Sequence, residues 1–246
     1  MMAHPWHHAL MSARRFGGTP DDYLAVHHWM DYTKSHIADC RHRLFLHNAW
    51  GIYVAERILG TTLVRATDGK ELPLRPTLED HVKQDFGKIP TLAYCLDQLA
   101  PEPLERDVTI YDQCCASTSR WGGIWTDYQT IHQFLDWPRE QLADGRFRRI
   151  FHNTWGVYMA TQAFGHAFTR PSDGEILPVQ TIAEQHIMLE YDAIPTLESC
   201  LEGIRLQRWM CVLAMPASVA AKLSGGDALS MIGDLKGQSR AKHADD

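Results

Sequence analysis

Apolar and polar positions follow a mostly helical pattern along this chain, interrupted by one short stretch of different character in each half. A first helix is predicted over residues 4–16, with Pro5 in its first turn and Gly17-Gly18 ending it. A second is predicted over residues 21–37, opened by the acids Asp21 and Asp22. A third spans residues 39–59 and stops at Gly60. Residues 61–74 then carry two short apolar runs flanking Asp68-Gly69, the signature of a β-hairpin. A fourth helix starts near Pro76-Thr77 and breaks at Gly87 and Pro90, and a last one covers residues 91–99.

The whole pattern then starts again. His47-Asn48-Ala49-Trp50-Gly51 returns as His152-Asn153-Thr154-Trp155-Gly156, and Asp68-Gly69 returns as Asp173-Gly174. Ile89-Pro90-Thr91-Leu92 returns as Ile194-Pro195-Thr196-Leu197. The offset is constant, and about a third of the positions between Ser12 and Leu99 are identical to their partners. This period exceeds the roughly 20–50 residues of a solenoid unit. The expected fold class is therefore mainly α, with two tandem homologous helical repeats, each with a short β-hairpin, forming a pseudo-two-fold dimer. Residues 1–100 make copy one and residues 106–206 copy two, joined through Pro101-Glu102-Pro103. Residues 207–246 are expected to form a C-terminal helix, over 209–223, and a mobile polar tail.

Composition narrows the function classes. The net charge of −6 disfavours nucleic acid as a partner. No apolar stretch approaches the roughly 20 residues that span a bilayer, and residues 1–15 lack the apolar core of a signal peptide. The expected location is cytoplasmic, and the six cysteines, without CxxC or zinc-finger spacing, agree with it. The expected partner is a small-molecule ligand, with neither nucleic acid nor membrane. The chain is expected to be a monomeric pseudo-dimer or a further homo-oligomer.

Fourteen histidines are many for this length, and three of their positions recur: His27/His132, His47/His152 and His81/His186. Asp31/Asp136 recurs four residues after the first pair, on the same helix face. Imidazoles and a carboxylate converging from three helices suit zinc, with iron, manganese or nickel as alternatives. The expected metal ligands are His27, Asp31, His47 and His81, and in the second copy His132, Asp136, His152 and His186. Such an ion could activate water. Arg41, Arg43, Arg146 and Arg148 would then hold an anionic substrate group, which makes a metal-dependent hydrolase one reading. The other is a non-enzymatic ligand-binding or interaction module, in which the same residues form a structural polar network. No HExxH, P-loop, GxGxxG or GxSxG motif is present. His4, His7, His8, His28, His36 and His42 have no histidine partner in copy two, which leaves two readings: copy one holds the fuller site, or these are a solvated, histidine-rich helix.

The run His4-Pro5-Trp6-His7-His8-Ala9, the step Arg41-His42-Arg43, His47, Gly51 and the stretch from Glu79-Asp80-His81 to Lys88-Ile89-Pro90 carry a resemblance. Copy one resembles an uncharacterised bacterial family, a domain of unknown function of about 100 residues per unit. The resemblance implies a small, usually single domain and no particular reaction. Copy two departs from it at its start, at Phe147 and at Glu190-Tyr191-Asp192.

Overall fold

Pro5 opens α1 (Pro5–Phe16), where its missing N–H costs nothing, and His4 caps the helix by accepting from the Trp6 amide. Gly17 and Gly18, both at positive φ, turn the chain into α2 (Asp21–Met30). The structure is a computed structural model and describes residues 4–104 and 108–211. After α2 come α3 (Arg43–Leu46), α4 (Ala49–Leu59), the hairpin β1 (Thr62–Val64) and β2 (Glu71–Pro73), α5 (Arg75–Phe86) and the short α6 (Leu92–Cys95). The second repeat follows the same plan. It has α7 (Ile110–Trp121), α8 (Trp125–Asp136), α9 (Arg148–Phe151), α10 (Thr154–Phe164), β3 (Ala167–Thr169), β4 (Ile176–Pro178) and α11 (Val179–Glu190). A final short helix, α12 (Arg208–Cys211), ends the described chain, so most of the helix expected over 209–223 lies outside the described residues. Both hairpins are antiparallel with the same register, Thr62 opposite Pro73 and Ala167 opposite Pro178.

Two expected helices are broken. The helix expected over 21–37 ends at Met30, and a 3-10 turn, Tyr32–Ser35, follows. The Thr33 hydroxyl is held by the His42 carbonyl, and the second repeat has Pro138 at that position, which cannot continue an α-helix. The helix expected over 39–59 breaks at His47-Asn48. Asn48 is extended and caps α4 by accepting from the Gly51 amide, while its own amide donates to the Leu44 carbonyl. Asn153 does the same in the second repeat. The faces drawn from unbroken helical spacing are therefore redirected, and both breaks fall next to expected site residues.

The hairpin is tied to the turn between the first two helices by Asp22. Its carboxylate accepts from the Thr19 amide at 2.8 Å, the Thr67 amide at 3.0 Å and the Thr67 hydroxyl at 2.7 Å. Asp127 repeats this with Ile124 and Ser172.

The repeats meet through reciprocal contacts, as expected of an isologous interface. The Arg41 guanidinium donates to the Ile204 carbonyl of the second repeat, and the Arg146 guanidinium donates to Leu99, the equivalent residue of the first. Tyr32 packs on Trp155 and Tyr158, and its counterpart Trp137 packs on Trp50 and Tyr53. One continuous apolar core runs through both halves, including Leu44, Trp50, Phe134 and Phe151. Among the described residues no helix is long and apolar enough to cross a membrane.

The Asp22 lock predicts an acid sensitivity. The hydrogen bond from Thr19, with those from Thr67, holds its carboxyl down at about 2. A depressed carboxylate contributes stability above its ordinary range, near 4, and loses it as the pH falls toward 2. The melting-temperature gap between wild type and Asp22→Asn is expected to be open at pH 6 and to close between about pH 4 and pH 2.

Candidate metal centre

The corner between α3 and α4 delivers the first histidine. The helix stops at Leu46, His47 takes a non-helical backbone conformation, and α4 doubles back so closely that Gly51 packs on the Leu46 carbonyl. A Cβ at Gly51 would collide with that oxygen, and one at Gly156 would collide with the Phe151 oxygen. This is why a glycine that costs about 1 kcal/mol against alanine in an ordinary helix stands there in both repeats. Asp31 reaches the same place because α2 ends on it, and α5 contributes His81 and Asp85 from successive turns.

In the first repeat Asp31, His47, His81 and Asp85 each offer one ligand atom, all within 4.8 Å of one another, and all four residues are buried. His47 Nε2 lies 2.9 Å from His81 Nε2, 3.3 Å from Asp31 Oδ1 and 3.1 Å from Asp85 Oδ2. One nitrogen carries at most one proton, so it cannot satisfy three such neighbours by donation. None of the four oxygens of Asp31 and Asp85 receives a well-aimed hydrogen bond. Lys34 Nζ approaches Asp31 at 2.6 Å, and Arg43 approaches Asp85 at 3.0 Å. Burial opposes charge at these sites. The contacts with His47, aided by Lys34 at Asp31 and by His81 and Arg43 at Asp85, outweigh it and hold both carboxyls well below the usual carboxylate range. Burial also opposes charge on His47, but Asp31 and Asp85 outweigh it and raise its pKa.

Of the expected ligands Asp31, His47 and His81 therefore converge, and His27 stands behind them. His27 Nδ1 is 2.9 Å from His81 Nδ1, and its Nε2 is 2.9 Å from the Ser12 hydroxyl. Burial lowers the His27 pKa to about 3 and pushes His81 well below its ordinary value, so both rings are neutral near pH 7. With His27 Nε2–H donated to Ser12, His27 Nδ1 accepts from His81 Nδ1–H. The His81 Nε2 lone pair then faces the centre, the tautomer a metal ligand needs.

The second repeat brings together Asp136, His152, His186 and Glu190, again buried and within 4.8 Å. Ser117, His132 and His186 repeat the relay, at 2.8 and 3.0 Å. There the Ser117 hydroxyl donates to Gln185, so it accepts from His132, which stands behind His186 as His27 stands behind His81. The centre differs in one respect. Glu190, one methylene longer than Asp85, reaches around to His152 Nδ1 at 2.9 Å, while His152 Nε2 faces Asp136 at 3.0 Å. Arg148 Nε also donates to Glu190, at 2.6 Å. Neither carboxylate of this centre lacks a hydrogen bond, and the His152 pKa is raised because Asp136 and Glu190 outweigh its burial.

The four arginines are engaged by the protein itself. Arg41 and Arg146 clasp Asp39 and Asp144 and reach across to the other repeat. Arg43 and Arg148 pair with Asp85 and Glu190, and Arg43 also donates to the Met210 carbonyl. Of the unshared histidines, His8 and His42 are buried beside the first centre. His8 Nε2 is 3.5 Å from Asp85, and the His42 ring stands edge-on to His47, as Phe147 does to His152. His4, His7, His28 and His36 are exposed. Sequence reading missed Asp85/Glu190 and Ser12/Ser117. Both pairs were visible at the repeat offset, one as an acid in each copy and one as an identity.

The chain belongs to the family described as Domain of unknown function (DUF6915), which matches it twice in tandem, over residues 3–104 and 108–210. No curated protein and no solved structure matches it.

The glycine corner makes a sharp expectation. Gly51→Ala should destabilise the protein by about 3 kcal/mol or more, because backbone atoms must move. Gly69→Ala, at positive φ but with open space around it, should cost only about 1 kcal/mol. Denaturant melts of the two variants check the contrast.

Proposed function

We propose that the first repeat binds one divalent metal ion, zinc foremost, through Asp31, His47, His81 and Asp85, and that the ion is structural. The observation that carries this reading is the pair of buried aspartates whose four oxygens lack well-aimed donors while facing two imidazole nitrogens. Lys34 and Arg43 lend charge to the two carboxylates from outside the centre, and an ion among the four donors would satisfy all of them at once. The separations of 2.9–3.3 Å around His47 Nε2 suit ligands placed roughly 2 Å from a tetrahedral centre. Behind the ligands, His27 and Ser12 would fix the His81 tautomer, and Arg43 and Lys34 would orient the carboxylates.

Four protein donors and full burial favour a structural ion over a hydrolytic one, whose metal keeps a position for water. The ties made by Arg41, Arg43, Arg146 and Arg148 point the same way, since they hold protein groups and not a substrate. In the second repeat the hydrogen bonds of Glu190 and Asp136 to the two nitrogens of His152 take the place the ion has in the first. Nickel, iron and manganese remain outcomes of the test.

Protein purified without a metal-affinity step is expected to carry one equivalent of metal per chain by elemental analysis. His47→Ala and Asp85→Ala should abolish it, and His152→Ala should leave it in place. Chelation should lower the melting temperature of the wild type and not that of His47→Ala. Protein that holds no stoichiometric metal, and gains none on addition of zinc, manganese, iron or nickel, overturns the reading.

A further inference from the structure

Two cavities meet on the second repeat. One, of about 200 Å³, lies at the junction of the repeats against Tyr32, Trp155 and Glu198. The other, of about 380 Å³, continues between α10 and α11 past Thr161, His166 and Glu184. Thr154 and Tyr158 line both, so the two lie side by side as adjoining parts of a groove whose combined volume is of small-molecule size.

The first repeat is an internal control for this groove. There Arg75 donates to Glu56 at 3.0 Å, and Lys83 pairs with Glu79 at 3.0 Å. Arg57 lies over Trp137, which packs on Tyr53. The second repeat keeps the acid Glu184 at the place of Glu79 and has neutral residues at all three cations: Gln180 for Arg75, Met188 for Lys83 and Gln162 for Arg57. Thr161 stands where Glu56 would close the space, and Tyr32 stands in for the bulkier Trp137. Glu198, in place of Ala93, adds an acid at the junction end. Among the described residues no lysine or arginine lines either cavity.

We propose that this groove binds an extended aliphatic diammonium ion, a diamine or polyamine. One ammonium group pairs with Glu198 at the junction end and the other with Glu184 at the far end. The methylene chain lies against the apolar lining that Trp155, Val157 and Tyr158 contribute, beside the stacked rings of Tyr32, Trp155 and Tyr158. The Thr154 and Thr161 hydroxyls supply acceptors for the remaining ammonium protons. The carboxylates set charge selectivity, and the aromatic walls select an aliphatic body between two charges. The groove shares no residue with the Asp31–His47 centre, so the two readings stand or fall separately.

Titration calorimetry of the full chain with 1,4-diaminobutane and spermidine tests this, with butylamine and 1,4-butanediol as controls. Saturable diamine binding is expected, at least about tenfold tighter than that of butylamine, with none for the diol. Glu184→Gln and Glu198→Gln should each weaken it about tenfold, and Glu79→Gln should leave it unchanged. The double variant Thr161→Glu, Gln180→Arg carries the pair the first repeat has at these positions, and it should abolish binding without loss of the folded state. Absence of saturable diamine binding, equal binding of the diol, or undiminished binding by the double variant overturns the proposal. Metal content measured before and after each titration separates groove binding from removal of an ion.

Discussion

Each repeat buries two carboxylates against two imidazoles at the meeting point of its helices, and the surrounding structure is arranged around the cost of doing so. A buried carboxylate needs either a compensating charge or several aimed donors. The helix break at Asp31, the corner at His47-Asn48 and the glycine contact at Gly51 all direct polar groups to one point, against the preference of these segments for continuous helix. Ser12 and His27 extend the same network outward by fixing which nitrogen of His81 faces in.

The duplication shows two solutions to this one problem. In the first repeat the short Asp85 stops on the same side of His47 as Asp31, so both acids converge on one nitrogen. In the second, one added methylene lets Glu190 reach the opposite nitrogen of His152, and the ring bridges both carboxylates. His42 and His8 give way to Phe147 and Gln113 around the second centre. Phe147 keeps the edge-on packing without a polar atom, and Gln113 donates to the His186 carbonyl. These changes are coherent: a centre that satisfies itself has no use for further imidazoles.

The same division of roles runs across the interface. The reciprocal pairs Arg41–Ile204 and Arg146–Leu99 hold the two halves in a pseudo-two-fold relation, so each half is a reference for the other. Against that reference the first repeat pairs Glu56 and Glu79 with Arg75 and Lys83, and the second keeps one of the two acids, Glu184, which accepts from Gln180 beside a groove. Fusing two copies in one chain frees each from the constraint that identical subunits place on one another. One copy can specialise its interior and the other its surface.

Much of this was legible in the chain. The constant offset defined the repeats, Asp-Gly marked the hairpins, and His47, His81 and Asp31 were selected because they recur with their neighbours. Gly51 and its counterpart Gly156 stand inside a predicted helix, where glycine is costly. What periodicity could not supply was direction. A continuous helix over residues 39–59 would put Asp39, Arg43, His47 and Gly51 on one face, but the chain breaks between them, so Arg41 clasps Asp39 while His47 turns inward. Periodicity groups His27 with the expected metal ligands, although the ring's two nitrogens are taken by Ser12 and His81. It passed over Asp85, because an aspartate facing a glutamate at the repeat offset reads as a loss, whereas in space it is the difference of one methylene that decides which face of the histidine is reached. The sequence by itself determined the class of fold, its duplication and the residue types gathered at each centre. Only the tertiary structure decided which of those residues share a centre, because convergence depends on where helices stop and on the side of a ring from which a carboxylate arrives, and neither is encoded in the spacing of residues along one helix.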